Sequence, residues 1–340
     1  MLLEYLIVNT KGYFLYILGT KPKHFYTQGV SVCYMTQLRI IFLGTGGSWP
    51  TLKRNVSSIA IKRGSEILLF DCGEGTQRQF QQSNLSYMQI SKIFITHFHG
   101  DHFLGLPGLI QTMQLNDRDK PLHIFGPKGM EELIHQLLTL GYFRPSYKII
   151  SHDMNDDEEI EFEGYSIRAS KARHNVPAFS YCLLEHQRPG KFNKPKALEI
   201  GIPEGPLFSK LQRGHSVTLA SGKIITPEMI LGPSRKGRMI VISGDTKPCE
   251  ELIAFSKDAD VLIHEATFDT ELEKIAKEYG HTTALQAAEI AKKANVKKLF
   301  LVHISPRYLD YHVLQNEARK VFLHSFVPKD FDEIEVKLKK

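Results

Sequence analysis

Short hydrophobic runs, most of them ending in Gly, Asp or His, recur along this chain. The first clear one is Leu38-Arg39-Ile40-Ile41-Phe42-Leu43, and an apolar run of that length bounded by turn residues predicts a strand. Ser57 to Arg63 and Glu66 to Phe70 predict a hairpin closed at Arg63-Gly64-Ser65. Lys92 to Ile95, Leu122 to Phe125, Ile149 to Asp153, Ile160 to Arg168, Met239 to Ile242, Val261 to Ile263 and Lys298 to Val302 read as further strands. Helical spacing appears over Gln77–Gln82, Leu104–Leu115 (starting near Asp101), Met130–Leu140, Ala284–Ala294 and Leu314–Phe322. Thr282 or Thr283 is a natural N-cap for the fourth of these. Strands alternating with helices and hairpins predict an α/β domain.

Two stretches depart from this rhythm. Residues 1–35 lack regular patterning, so they read as an N-terminal extension, either a short accessory hairpin or the product of an over-extended gene model that truly starts at Met35. Residues 36–340 then form the main domain. Within it, 185–238 is rich in Gly and Pro and weak in periodicity. Its segment His186 to Lys196 carries Arg188, Lys191, Lys194 and Lys196 with no acid and one interleaved aromatic, Phe192. A solvated linker would have this composition. A long loop inside a domain is more often functional, so a protruding basic arm suited to nucleic acid is expected.

Composition narrows the class only modestly. The chain has 340 residues, 42% hydrophobic and 24% charged, which suits a globular protein with a substantial core. A formal charge of +6 favours a polyanionic partner without establishing one. Cys33, Cys72, Cys182 and Cys249 are scattered with no CxxC pair, which argues against a disulfide framework and a thiolate metal site. The apolar N-terminal segment through Leu18 is broken by Glu4, Asn9, Thr10 and Lys11, and no run is long enough to span a bilayer. A cytoplasmic protein without a membrane partner is expected.

The chemistry concentrates in Thr96-His97-Phe98-His99-Gly100-Asp101-His102, where three histidines and an aspartate fall within six positions. Imidazole and carboxylate suit zinc, manganese or iron, and four such groups suit a pair of ions better than one. A solvated histidine loop is the plain alternative. Asp71, at the end of a predicted strand, could orient a metal-bound histidine or cap the following helix. Gly44-Thr45-Gly46-Gly47-Ser48-Trp49-Pro50 follows a strand but lacks the third glycine of a dinucleotide fingerprint. It is either a tight turn or a loop offering backbone N–H groups, Lys53 and Arg54 to a phosphate. Later in the chain His174, Asp245, His264-Glu265, His281 and His303 stand at or near strand ends. His264-Glu265 could be further ligands or supports for them. His281 precedes a helix, whose dipole would lower its pKa.

This combination resembles the metallo-β-lactamase superfamily, an αβ/βα sandwich of two mixed sheets flanked by helices, and His97-x-His99-x-Asp101-His102 is its most specific mark. Within the superfamily it looks most similar to the tRNase Z (RNase Z) family, whose short forms carry an inserted extended arm. The resemblance runs from about Met35 to the C-terminus through Ser243-Gly244-Asp245-Thr246, His264-Glu265-Ala266-Thr267, Gly280-His281-Thr282-Thr283 and His303-Ile304-Ser305-Pro306-Arg307-Tyr308. The family's PxKxRN loop appears as Pro50-Thr51-Leu52-Lys53-Arg54-Asn55, with its lysine one place late. The resemblance implies a homodimeric endoribonuclease that cuts the 3′ trailer from precursor tRNA, leaving a 3′-hydroxyl. It implies two Zn²⁺ per chain, with Mn²⁺ possible and no organic cofactor. One ion would be held by His97, His99, His174 and Asp245, the other by Asp101, His102, Asp245 and His303. Asp101 would orient or deprotonate the water, and His281, aided by Glu265, would protonate the leaving oxygen. Arg54 and Arg307 would contact the acceptor end, and the arm, with Arg188, Lys191, Lys194 and Lys196, the tRNA body. Other readings keep the metals but take a small phosphodiester or thioester, or make the chain an RNA-binding protein with a silent site.

Overall fold

The computed structural model describes residues 36–338, so the extension 1–35 and the last two lysines lie outside the described residues. In chain order the strands are β1 (Leu38–Gly44), β2 (Ser58–Arg63), β3 (Glu66–Phe70), β4 (Ile90–Phe94), β5 (Leu122–Gly126), β6 (Ile149–Asp153), β7 (Glu159–Phe162), β8 (Tyr165–Lys171) and β9 (Phe179–Glu185). They continue with β10 (Val217–Thr218), β11 (Ile224–Ile225), β12 (Met239–Ile242), β13 (Val261–Glu265), β14 (Leu299–Val302), β15 (Ser325–Phe326) and β16 (Glu333–Glu335). One sheet has the order β16-β1-β2-β3-β4-β5-β6 and the other β15-β14-β13-β12-β9-β8-β7. Each is antiparallel in one half and parallel in the other, with β3 to β6 parallel in the first and β12 to β15 in the second.

The strands alternate their faces, so each sheet buries apolar residues on both sides. Phe42, Ile61, Leu68, Phe94, Ile167, Tyr181, Ile242 and Ile263 meet between the sheets. Leu43, Leu69, Ile93, Leu109 and Ile134 pack the first sheet against its helices, and Val241, Leu262, Ala287, Ala291 and Leu301 do so for the second. The result is the four-layer αβ/βα sandwich the sequence predicts. Phe70, Phe94, Phe125 and His152 lie in register on β3 to β6 and stack with ring centroids 5.1, 4.8 and 4.4 Å apart. This column stiffens the parallel half from which the histidine motif departs.

Several element boundaries differ from the predicted ones, each for a local reason. The run 104–115 is two helices, Gly100–Phe103 and Leu106–Leu115. They break where the Gly105 N–H leaves the helical ladder and donates to Cys72 C=O at 2.8 Å, an approach so close that a Cβ there would stand 2.1 Å from the Gly73 carbonyl oxygen. The run 160–168 is no single strand but the β7–β8 hairpin, turning at Gly164 with φ 80°. The C-terminal helix spans His312–Arg319, and the tail beyond it is not loose: β15 joins one sheet and β16 returns to pair with β1 of the other. Thr283 is the N-cap of the helix Ala284–Lys293, with a full capping box through Gln286.

The 185–238 insertion is a folded unit, not a coil. It contains the helices Lys194–Glu199, Pro206–Gln212 and Pro227–Ile230 and the β10–β11 hairpin. Ala197, Ile202, Leu211, Val217, Ile225 and Ile230 give it a small core of its own. Its two ends run antiparallel as a stem, with paired hydrogen bonds between Arg188 and Arg235 and from Asn193 N–H to Ile230 C=O. At the root, buried Arg238 donates to both carboxylate oxygens of buried Glu185 at 2.6 and 2.7 Å.

Candidate metal centre

Strand ends from both sheets assemble the site. β3 delivers Asp71, β4 delivers Thr96 and His97, β12 delivers Gly244 and Asp245, β13 ends in Glu265, and β14 delivers His303. Asp71 and His303 have φ 58° and Gly244 has φ 59°, so the chain takes a left-handed step as it leaves three of these strands. For the two non-glycines this costs roughly 1–2 kcal/mol each. The two sheets meet here as well, since Phe179 N–H donates to Thr96 C=O at 2.9 Å.

Three overlapping groups of donor atoms converge. His97, His99, His174 and Asp245 form one, Asp101, His102 and His303 a second, and Asp245, His281 and His303 a third that shares a residue with each, every group with its ligand atoms within 4.8 Å of one another. Asp245 belongs to both sides: its Oδ2 lies 3.7 Å from His97 Nε2, 3.4 Å from His102 Nε2 and 3.4 Å from His303 Nε2. Asp101 Oδ2 is 3.2 Å from His303 Nε2. His97 Nε2 and His174 Nε2 lie 2.9 and 3.3 Å from His99 Nδ1. Buried His102 Nε2 has no hydrogen-bond partner, while its Nδ1 is engaged by Asp71 at 2.7 Å. An orphaned imidazole nitrogen facing two carboxylates, beside the four converging imidazoles of His97, His99, His174 and His303, is a donor set that fits a pair of divalent ions.

Supporting groups fix each ligand. Asp71 also accepts from Thr96 N–H at 2.8 Å and Thr96 Oγ at 3.0 Å, and the helix that follows it has no side-chain cap. Of its two predicted roles, the structure shows the orienting one. Glu265 is likewise a support and not a ligand. Its Oε1 accepts from Thr246 N–H at 2.9 Å and faces His281 Nδ1 at 3.0 Å, while its Oε2 accepts from Thr267 Oγ1 at 2.6 Å. Thr267 Oγ1 in turn lies 2.9 Å from His303 Nδ1. His264 is buried behind the sheet with Nδ1 on the Glu265 carbonyl.

Burial holds the His97 imidazole well below its usual pKa, with His102 adding to the effect. Burial also opposes charge on His102, but Asp245 and Asp71 outweigh it and raise its pKa well above the ordinary value. His281 departs from the sequence expectation. Burial would depress it, yet Glu265 and then Asp245 lift it to about 9. Asp101, despite its own burial, is lowered by His303 and His102. The floor of the site, His97, His102, Asp245 and Glu265, is buried, whereas His99 is exposed and His174 and His281 are half-buried, so the site opens to solvent on that side.

The glycine loop proves to be a brace. Gly46 N–H donates to Asn55 C=O at 2.8 Å, Gly47 N–H to Ile304 C=O at 3.1 Å, and Ser48 N–H to Asp101 Oδ2 at 2.7 Å. Those donors are therefore taken, and the phosphate-cradle alternative is not what the chain builds. A Cβ on Gly47 would stand 2.5 Å from the His303 ring. Arg54 is also engaged, donating to the Pro328 carbonyl at 2.7 Å and lying over the Tyr311 ring. Asp330, which the sequence reading missed, clasps the loop through Thr45 N–H, Thr45 Oγ1 and Asn55 N–H at 3.1, 2.6 and 2.6 Å. No local motif marks it, because it arrives from the far end of the chain.

Arg307 is exposed, stacked over Phe268 and held by Ser305. In the arm, Lys191, Lys194 and Lys196 are exposed, although Lys194 pairs with Glu204 at 2.8 Å. Arg188 is only 7% exposed, so it builds the stem and is not displayed on the arm's outer face. Exposed Lys210, Arg213 and Lys223, overlooked because they are spaced singly along the sequence, add to that face.

A ribonuclease Z of Methanosarcina acetivorans is 48% identical over 300 residues, covering 88% of this chain and 98% of that one. One of Myxococcus xanthus is 43% identical, covering 85% and 94%. The crystal structure of human tRNase Z, short form, superposes with a TM-score of 0.65 at 28% identity, covering 88% of this chain and all of that one. The profile described as beta-lactamase superfamily domain matches 205–304, and that of anti-Pycsar protein Apyc1 matches 38–188.

Proposed function

The chain belongs to the ribonuclease Z family and is an endoribonuclease of metallo-β-lactamase fold, and from that premise we propose that it cuts the 3′ trailer from precursor tRNA, leaving a 3′-hydroxyl on the tRNA. The observation that carries this reading is the pair of converging donor groups sharing Asp245, open to solvent on the side of His99, His174 and His281. Two zinc ions would be held there, with manganese the alternative for imidazole and carboxylate donors. His97, His99, His174 and Asp245 would hold one, and Asp101, His102, Asp245 and His303 the other. Such a pair, when bound, lowers the pKa of water and stabilises charge on phosphoryl oxygens.

The chain's own groups supply the proton traffic. Asp101, ionised and pinned by Ser48 N–H, takes the proton of the attacking water. His281, with Nδ1 against Glu265, stays protonated at neutral pH and donates from Nε2 to the ribose 3′-oxygen as its bond to phosphorus breaks. Glu265 orients that imidazole and offsets its charge. Arg307 and the exposed lysines of the arm, Lys191, Lys194 and Lys196, contact phosphates. Arg54 and Arg188 act at one remove, the first by fixing the loop beside the site and the second by holding the stem. The family resemblance further suggests a cytoplasmic homodimer in which one subunit's arm presents tRNA to the other's site. Among the described residues no helix is long and apolar enough to cross a membrane.

The test is cleavage of a 3′-extended precursor tRNA by wild type and Asp245→Ala, with metal content measured alongside. Wild type should cut at the discriminator nucleotide with about two metals per chain, and the variant should lose both properties. A metal-loaded wild type that leaves the precursor intact would redirect the search to small phosphodiesters.

A further inference from the structure

Trp49 is the chain's one tryptophan, and its side chain is 61% exposed. Leu52 beside it is fully exposed, and Lys53 is exposed too. Indole left in water forgoes a large apolar contact, so an exposed one at a fixed position points to something that covers it. The position is fixed on both flanks. Ser48 N–H lies 2.7 Å from the Asp101 carboxylate, and Gly47 sits against the His303 ring. Trp49 N–H donates to Gly47 C=O, Thr51 N–H donates to Arg54 C=O, and Arg54 is braced on Pro328. One Cα–Cα step of 3.8 Å from Ser48 keeps the Trp49 backbone within about 8 Å of that carboxylate. An indole reaches roughly as far from its Cα as a nucleobase does from its phosphate.

We propose that Trp49 is the stacking platform for a nucleobase flanking the scissile phosphate, a positioning residue that sets the register of the RNA chain over the metal centre. This rests on the RNA-cleaving function proposed above. A π-face accepts any base, so the platform would position the strand without demanding a sequence. Its place next to Ser48 ties the stacked base to the carboxylate that takes the water's proton. A nucleobase suits the surroundings better than a protein partner does, because the neighbouring exposed groups include the cation Lys53 and the loop adjoins a site for phosphoryl chemistry.

The lone tryptophan makes the test direct, since all indole emission reports this site. In a His281→Ala background, which spares the RNA, titration with 3′-extended precursor tRNA should quench Trp49 emission. An abasic nucleotide placed in turn on each side of the cleavage position should remove the quench in one of the two RNAs. In the active enzyme, Trp49→Ala should raise KM on the order of tenfold with little change in kcat. Trp49→Phe should recover most of that loss, and the abasic RNA should erase the difference between wild type and Trp49→Ala. Unchanged KM in Trp49→Ala, or a quench that survives both abasic positions, overturns the proposal while the nuclease reading stands. So does emission that shifts with protein concentration without RNA, which would assign the indole to a second copy of the chain. If wild type leaves the precursor tRNA uncut, the nuclease reading itself fails and takes this proposal with it.

Discussion

Asp71 touches no ligand position directly other than His102, yet that one contact decides which imidazole nitrogen remains for an ion. Asp71→Asn keeps the shape and removes the charge, so metal affinity should fall 10–100-fold, measured by competition with a chelator. Glu265 plays the corresponding part for His281. The imidazole must be protonated to act as an acid, so activity should fall as pH rises through its pKa of about 9. Glu265→Gln removes the main group lifting that pKa, and the alkaline limb of the kcat profile should move down by about one unit or more. An unmoved limb would separate His281 from proton donation. At this scale the sequence was most informative where ligands are local: His97, His99, Asp101 and His102 sit on one strand end and one helical turn. It was least informative where support comes from afar, as with Asp330, or where two effects compete, as burial and Glu265 do on His281.

Strands announce themselves by composition, and the central ones of both sheets were legible because they are apolar on two faces, whereas the two- and three-residue edge strands β15 and β16 were not. Breaks were harder. Nothing in Leu104-Gly105-Leu106 declares that Gly105 must lie on the Gly73 carbonyl, since that contact depends on a strand end thirty residues earlier. The arm's short helices were hidden for the opposite reason: each is barely two turns or less, too brief to show a period. The Glu185–Arg238 pair holds the two ends of that arm. Arg238→Met should leave buried Glu185 with only the longer Arg63 contact at 3.4 Å, at a cost of about 3 kcal/mol in a urea melt. The double variant Glu185→Leu, Arg238→Met should recover most of it. Equal losses in the single and double variants would show that packing, not charge, is at stake.

The distribution of charge belongs to the molecule as a whole. Residues 185–238 contain ten Lys and Arg against four Asp and Glu, an excess equal to the chain's entire formal charge of +6. The rest of the chain, the 1–35 extension included, therefore sums to zero, and the proposed RNA reading places the polyanion affinity on the arm. Replacing 186–237 by a short turn should leave metal content and cleavage of a small chromogenic phosphodiester intact. It should abolish precursor tRNA cleavage and flatten the dependence of log Kd on log salt. Precursor tRNA cleavage that survives would locate binding in the sandwich instead. The clasp at the arm's root has one more consequence. Because residues 185 and 238 stand side by side, the stretch between them leaves the sandwich and returns to the point of departure. Closing such a loop costs only about 0.6 kcal/mol more for each doubling of its length. The port thus accepts inserts of very different size at nearly constant expense to the body, so the arm can vary as an interchangeable cassette while the converging donor groups stay as they are.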